Sequence, residues 1–222
     1  MAKGISLTNV TVAFDGNPVL RNVTFESTAK SIVVIGSNGS GKSTFARLLN
    51  GLVKPTSGEV SVYGKTPDTK QASFLFSNPD LQIVMPTVFE DVAFTLSGLK
   101  LNAAEVRSRV QAALELVGLE DLEQANCHEL SSGQKQLLAL ASAAVRKPKL
   151  LIADEPTNLL DLANARRISK LLDNIPSDQL VLITHDLELA QACEEAIWFE
   201  EGILKSVGKP TELIETYRKF SR

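Results

Sequence analysis

Residues Gly36-Ser37-Asn38-Gly39-Ser40-Gly41-Lys42-Ser43-Thr44 constrain this chain more than any other stretch. They follow the apolar run Ile32-Val33-Val34-Ile35, which reads as a buried strand. They precede Phe45, Leu48, Leu49 and Leu52, spaced as one face of a helix. Strand, glycine-rich turn, Lys-Ser and helix form the context in which G-x-x-x-x-G-K-[ST] acts as a phosphate-binding loop. Gly36, Gly39 and Gly41 open backbone angles that a Cβ would close, so successive N–H groups converge on one phosphate. The helix behind adds the positive end of its dipole. Lys42 then reaches the β- and γ-phosphates, and the Ser43 hydroxyl takes a place on Mg²⁺. The specified positions coincide by chance roughly once in 10⁴ to 10⁵ positions, so a flexible surface loop is the poorer account. The expected ligand is a nucleotide.

The chain has 222 residues, 44% hydrophobic and 22% charged, enough for one α/β domain with a subdomain and too few for two independent ones. A formal net charge of −3 argues against a broad basic face for nucleic acid. Cys127 and Cys193 lie far apart without metal-ligand spacing, as expected of buried or free thiols in a reducing compartment. The first nine residues lack the apolar core of a signal peptide. No apolar run reaches the ~18 residues of a spanning helix. Leu137 to Val145 comes nearest, bracketed by Lys135, Arg146 and Lys147. A soluble, cytoplasmic protein is the expectation.

Along the chain, Ile5, Leu7, Val10, Val12 and Phe14 alternate with polar residues as in a half-buried strand. Asp15-Gly16-Asn17-Pro18 turns it, and Val19 to Phe25 alternates again, antiparallel to the first. Gly58 to Gly64 extends the same small sheet. Phe14, at its strand's end, serves either as a ring stacked on adenine or as a core residue. Ala72 to Phe76 forms a second core strand. Ser77 to Val88, with two prolines and little periodicity, reads as an exposed connection. Glu90, Asp91, Val92, Phe94 and Leu96 open a helical region. Asn102-Ala103-Ala104-Glu105 has the form of a capping box before Val106, Val110, Ala113, Leu114 and Val117, and Gly118 ends that helix. Residues 85–147 are therefore expected to be mostly helical, inserted into an α/β core made of 1–84 and 148–222. Within the insert, Leu130-Ser131-Ser132-Gly133-Gln134 precedes a helix carrying Leu137, Leu138, Ala141 and Ala144. It is either an ordinary N-cap or a second helix N-terminus aimed at an anion.

The apolar strand Leu150-Leu151-Ile152-Ala153 ends in Asp154-Glu155. Acids at the carboxyl end of a buried parallel strand stand where open α/β sheets bind ligands. Asp154 is expected to hold Mg²⁺, usually through water. Glu155, one residue further out, would orient and deprotonate a water in line with the γ-phosphate. Solvated acids on a turn are the alternative. Pro156 to Leu160 leads to Asp161, and a further strand, Leu180 to Ile183, ends in Thr184-His185-Asp186. His185 thus falls in the same crevice, in position for a γ-phosphate contact. Ala196 to Val207 reads as a hairpin around Glu201-Gly202 with Trp198 and Phe199 in the core, and Pro210 to Phe220 as a terminal helix.

Phosphate loop, Leu-Ser-Ser-Gly-Gln, Asp154-Glu155-Pro156-Thr157, Leu160-Asp161 and His185, in this order, resemble the ATP-binding-cassette (ABC) ATPases over essentially the whole chain. The resemblance implies an α/β fold: a P-loop NTPase (RecA-like) core with an N-terminal antiparallel β subdomain and an inserted α-helical subdomain. It implies ATP and Mg²⁺ as cofactors, ATP hydrolysis, and a head-to-tail dimer. Each ATP would lie between the phosphate loop of one subunit and the signature Ser131 and Gly133 of the other. Asp161 would communicate across that interface, and Phe14 would meet the adenine.

Asn78-Pro79-Asp80, Gln82, Pro86-Thr87-Val88 and Glu90-Asp91-Val92-Ala93-Phe94 are similar to the ATPases of energy-coupling-factor (ECF) importers, which serve vitamins and cobalt or nickel. That resemblance implies a second ATPase subunit (an identical copy or a related chain), a membrane coupling subunit and a substrate-binding membrane subunit. It places the chain on the cytoplasmic face of the membrane. The short chain is more like the members serving biotin or cobalt. Asp80, Glu90 and Asp91 are then expected to receive arginines of the coupling subunit; the alternative is that they are solvated acids complementing a helix dipole. Two positions depart from the family: Ser77 stands where a glutamine is usual and would reach the site only through a bridging water, and Ser132 replaces the first signature glycine. A non-transport ABC ATPase acting on nucleic acid or ribosomes is the rival reading, though long coiled-coil insertions, a second cassette and a basic tail are missing. A P-loop kinase or GTPase leaves the signature unexplained, and no Asn-Lys-x-Asp guanine reader is present.

Overall fold

Alternating apolar and polar residues fold the start of the chain into two antiparallel strands, β1 (Ile5–Phe14) and β2 (Asn17–Ser27), paired Leu7 to Phe25 and Ile5 to Ser27. A computed structural model describes residues 4–158 and 160–220, with only the backbone of Leu187. The next strand, β3 (Ser31–Gly36), has no polar face; Ile32 to Gly36 are all buried, so it must run inside a sheet covered on both sides. It passes through the phosphate loop into α1 (Lys42–Asn50), which buries Phe45, Leu48 and Leu49. Gly51, left-handed at φ 84°, closes this helix with its N–H on Leu48 O. β4 (Ser57–Val62) returns to the free edge of β1, Ile5 opposite Val62, and completes a three-stranded antiparallel sheet ordered β2-β1-β4.

β5 (Ala72–Leu75) is followed by a one-turn 3₁₀ segment, Pro79–Leu81, and three helices. These are α2 (Val88–Thr95), α3 (Ala103–Val117) and α4 (Ser132–Ala144), each opened by a complete capping box: Thr87 with Glu90, Asn102 with Glu105, Ser131 with Gln134. Then come β6 (Leu150–Asp154), α5 (Leu162–Asn174), β7 (Gln179–Ile183) and the short α6 (Leu187–Gln191). The hairpin β8 (Glu195–Glu200) with β9 (Ile203–Gly208) leads to α7 (Pro210–Phe220). The sequence reading passes from Asp161 to the strand at Leu180 with no element between, whereas α5 lies there. Asp161 caps α5 by accepting the Asn164 N–H, but only Ile168 and Leu172 of the helix are buried, so its apolar stripe is thin.

The second sheet has the order β5-β6-β7-β3-β8-β9. β6, β7, β3 and β8 run parallel, with Val33 beside Leu182 and Ile35 beside Trp198, and β9 is antiparallel at the edge. Alternation along β3 sends Ile32 and Val34 to one face and Val33 and Ile35 to the other. The first face packs around Phe45, whose ring lies 6.2 Å from Phe25 and 5.1 Å from Phe199. The second packs against Ala190 of α6 and Leu213 and Ile214 of α7.

The chain divides into two compact units. One takes the residues up to Phe74, Lys149–Glu155 and the residues from Asp178 onward; the other takes Leu75–Pro148 and Pro156–Ser177. In the second, α4 is buried along Leu137–Ala141 and packs on α2, α3 and α5. Arg167 of α5 donates to Val117 O at the end of α3, 2.7 Å away. Among the described residues no helix is long and apolar enough to cross a membrane. Phe45→Ala should cost about 3–5 kcal/mol, because it empties the space between two rings under the phosphate-loop helix. Denaturant titration followed by circular dichroism measures this; an unchanged midpoint would show that the three-ring cluster does not hold α1 to the sheet.

Candidate active site

At the end of β3 the chain must turn while passing very close to its neighbour. Gly36 stands beside Phe199 in the parallel register, and a Cβ there would run into the Phe199 carbonyl. Its φ of 148° also lies outside what a side chain favours. Beyond it the loop closes with Ser40 N–H donating to Ser37 O at 3.2 Å. Gly41 occupies the N-cap of α1 without a side-chain hydrogen bond, so the leading N–H groups of the helix carry no side-chain cap. Such a terminus favours an anion. Ser40 Oγ, in the middle of the loop, is buried with no hydrogen-bond partner among the described residues. Lys42 arches back over the loop, Nζ donating to Gly36 O (2.9 Å) and Ser37 O (2.7 Å). Its burial pushes the ammonium below its usual pKa, against the opposing pull of Glu155, Asp154 and Glu200.

The acids come from the next strands. Asp154, the last residue of β6, is 8% exposed and accepts from Ser43 Oγ at 3.2 Å. Burial raises its pKa; Ser43, Arg47 and Lys42 pull the other way without cancelling it. Glu155 follows with a left-handed backbone, φ 51°, a conformation costing on the order of 1–3 kcal/mol for a residue with a Cβ. Its N–H still donates to Ile183 O (2.9 Å), so the β6–β7 pairing runs one residue past the strand. The turn sends the Glu155 carboxylate toward the end of β7, where Oε2 accepts the His185 N–H at 3.3 Å. His185 Nε2 stands 3.2 Å from Oε1, outside hydrogen-bonding geometry, and that buried oxygen has no hydrogen-bond partner among the described residues. Burial raises the pKa of Glu155 above its ordinary 4.5, with His185 the chief opposing influence. One unit therefore gathers the loop Gly36–Thr44, Asp154, Glu155 and His185. Phe14, at the end of β1, is 49% exposed, which rules out the core reading of that ring.

The second unit brings together Ser131, Gly133 and Asp161. Ser131 is the N-cap of α4, accepting from Gln134 N–H (3.3 Å), while Gln134 Oε1 accepts from Ser131 N–H (2.9 Å). Gly133 is buried so closely against Asn164 that a Cβ would lie 2.9 Å from its amide carbon. Asn164 in turn donates its N–H and Nδ2 to the Asp161 carboxylate, at 2.8 and 2.9 Å. The Asn164 backbone bond holds the Asp161 carboxyl below its usual pKa. Asn164 thus links two residues the sequence reading singled out, and was itself missed; the D-x-x-N spacing of an N-cap was the signal available. Gln82 accepts from Phe76 N–H (3.0 Å) and donates to Ala139 O (3.4 Å).

One acid must be reassigned. Asp91 is 3% exposed, its Oδ1 accepting from the N–H groups of Val84 (2.8 Å) and Met85 (3.1 Å), its Oδ2 from Ser142 Oγ (3.4 Å). It ties the connection before α2 to α4 and cannot receive a partner's arginine. Asp80 and Glu90 remain exposed, though Asp80 pairs with Lys135 (2.8 Å) and Glu90 Oε2 caps Thr87.

A glycine-rich loop joining a central parallel strand to a helix, with a lysine, a hydroxyl and an acid pair converging on it, defines a P-loop nucleoside triphosphatase. The ABC transporter family profile matches residues 20–158, and the chain belongs to that family as an ATP-binding, ATP-hydrolysing domain. It is 43% identical over 215 residues to the biotin transport ATP-binding protein BioM of Rhizobium etli, covering 95% of this chain and 96% of that one. It is 37% identical over 218 residues to the energy-coupling factor transporter ATP-binding protein EcfA1 of Thermotoga maritima, covering 95% and 84%. Among solved structures, cbiO1 from Clostridium perfringens, part of the ABC transporter complex cbiONQ, matches with a TM-score of 0.85 at 30% identity, covering 99% of this chain and 94% of that one. The ATP-binding cassette MJ0796, solved as a dimeric post-hydrolysis state bound to ADP and Pi, matches with a TM-score of 0.79 at 28% identity, covering 93% and 98%.

Lys42→Ala should weaken ATP binding at least about tenfold, the least that one charge-assisted hydrogen bond contributes. Isothermal titration calorimetry giving the wild-type affinity would remove Lys42 from the phosphate contacts.

Proposed function

We propose that the chain is the ATP-hydrolysing subunit of an ECF-type ABC importer for a vitamin of the biotin kind or a transition-metal ion. The observation that carries this reading is the convergence of Lys42, Ser43, Asp154 and Glu155 in a chain so similar to a biotin transport ATPase. Phosphoryl transfer to water leaves the protein mainly positioning and charge stabilisation to supply. The loop Gly36, Ser37, Asn38, Gly39, Ser40, Gly41, Lys42, Ser43 and Thr44 would form the phosphate cradle, the Ser40 N–H closing it on Ser37 O. Lys42 would exchange its two loop carbonyls for β- and γ-phosphate oxygens.

A divalent cation fits beside them. Ser43 Oγ and Asp154 Oδ1 lie 3.2 Å apart, and Asp154 is an incompletely compensated buried carboxylate, the kind of donor set Mg²⁺ takes. Bound there, Mg²⁺ would supply charge neutralisation on the transferred phosphoryl group. Glu155 would take a proton from the attacking water at Oε1, which has no hydrogen-bond partner among the described residues, and burial has raised its basicity for the task. His185, held by its N–H on Glu155, would keep that carboxylate and the γ-phosphate in register.

Support for a dimeric arrangement comes from MJ0796, which is dimeric in its ADP- and Pi-bound state. In that arrangement Ser131 and Gly133 would meet the ATP held by the opposite subunit, identical or related, with Asp161 at the interface and Phe14 on the adenine. Membrane partners are supported by cbiO1, part of the cbiONQ complex. A coupling subunit, itself joined to a substrate-binding membrane subunit, would dock from the membrane onto this chain at its cytoplasmic face. Asp80 and Glu90, with the exposed Leu81 and Val84 between them, offer acidic and apolar contacts for it. No observation favours nucleic acid as a partner.

Glu155→Gln should lower turnover about 10²–10⁴-fold while ATP still binds and dimers accumulate in size-exclusion chromatography with ATP. Hydrolysis close to wild type would take Glu155 out of the base role. Charge reversal at Asp80 and Glu90 should reduce recovery of membrane subunits with the tagged protein from detergent extracts, while the isolated protein still binds ATP. Undiminished recovery would put the docking surface elsewhere.

A further inference from the structure

A phosphate loop rich in glycine has few side chains to hold its shape, so the Ser40 and Lys42 bonds within it need anchors from outside. Here they lie on the β8–β9 hairpin. Gly202 N–H, in the hairpin turn, donates to Ser40 O (3.1 Å), and Gly202 O accepts from Arg21 N–H (2.8 Å). That fixes the second half of the loop. The first half is held by a side-chain bond of a stronger kind: Ser37 Oγ donates to Glu200 Oε1 at 2.5 Å, the short range of a hydroxyl bound to a carboxylate.

The other carboxylate oxygen of Glu200 accepts from Trp198 Nε1 at 3.4 Å. Trp198 is itself pinned edge-on by Tyr217 (5.7 Å between ring centres) and Phe220 (4.9 Å) of α7. The carbonyl of Ser37 accepts from Lys42 Nζ (2.7 Å) and from Ser40 N–H (3.2 Å). Ser37 is therefore a two-sided joint, its hydroxyl fastened to the sheet and its peptide oxygen carrying the lysine. A negative group this close to Lys42 repels a triphosphate, which makes it a poor ligand for the nucleotide and leaves anchoring as its use.

We propose that Glu200 is a positioning residue of the ATP site, acting through Ser37 to hold the phosphate loop in its phosphate-accepting shape. The inference rests on the ATP site described above. Because the cradle holds phosphates alike in ground and transition states, loss of the anchor should raise KM with little change in kcat.

The test is a double-mutant cycle on the full chain. Ser37→Ala and Glu200→Ala should each raise KM for ATP about tenfold, with kcat within about twofold, and the double variant should be no worse than either. Glu200→Gln, whose amide oxygen still accepts from Ser37, should recover most of the loss. Trp198 is the one tryptophan of the chain, so its emission reports on Glu200 directly. Ser37→Ala should shift that emission in nucleotide-free protein, a change that a role of the hydroxyl confined to the loop would not transmit. Multiplying effects in the double variant, or KM unchanged in Ser37→Ala, would overturn the proposal. If Glu200→Ala does not fold, Ser37→Ala alone decides it: KM for ATP must rise and the Trp198 emission must shift, and either one left at its wild-type value overturns the proposal. Wild-type protein that fails to bind ATP would instead overturn the ATP reading itself, an outcome separable from failure of the cycle.

Discussion

The parallel pairing of β6, β7, β3 and β8 positions the charges gathered around the loop Gly36–Thr44. Parallel strands finish on the same edge of a sheet, so whatever residue follows each strand is delivered to a common crevice. β3 delivers the loop and Lys42, β6 the pair Asp154 and Glu155, β7 His185 and β8 Glu200. The backbone ladder fixes these ends. The bond from Glu155 N–H to Ile183 O carries the ladder one residue beyond β6. Glu155 adopts its left-handed backbone inside that frame, and the frame supports the cost.

The electrostatics follow from the same geometry. Three carboxylates act on Lys42, yet burial still lowers its pKa; Asp154 and Glu155 are both raised by burial despite the nearby ammonium. Each group is thus less well solvated than its neighbours can compensate. A core selected for stability alone would not collect charges on such terms, and perturbation of this kind concentrates at functional sites. Among the described residues, Lys42 Nζ donates to peptide oxygens of its own loop, which are weaker partners for an ammonium than phosphate oxygens would be.

Much of this was legible in the residues. β3 announced itself because four consecutive apolar residues leave no solvent face, and α3 because Asn102 and Glu105 bracket its start and Gly118 its end. α5 was not legible, since two buried residues in thirteen make too faint a stripe and its stability comes from packing on α4 and the Arg167 bond. Asp91 misled for a related reason. An acid in the first turn of a helix suits the dipole and looks solvated, but here two N–H groups from the preceding connection and a serine of another helix surround it. Partners that are distant in sequence leave no local trace. Glu200 and Asn164 escaped notice likewise, because a single acid in a strand or a single amide in a helix is unremarkable until its contacts are seen.

The two readings of Ser131, helix cap and anion contact, need not compete. A hydroxyl has one proton to donate and two lone pairs to accept with. Capping uses it as the acceptor of the Gln134 N–H, so the proton remains available to an anion. The cap also fixes the start of α4, which keeps the helix's leading N–H groups aligned on the same side. Gly133, pressed against Asn164, leaves room for no side chain there, and Asn164 is gripped by Asp161 at two points. Displacing Asp161 would therefore move Asn164, and with it the surface on which Gly133 rests. A local capping motif and an anion contact would thus share the same few atoms, and stability and recognition at the start of α4 would be set by one arrangement rather than traded against each other.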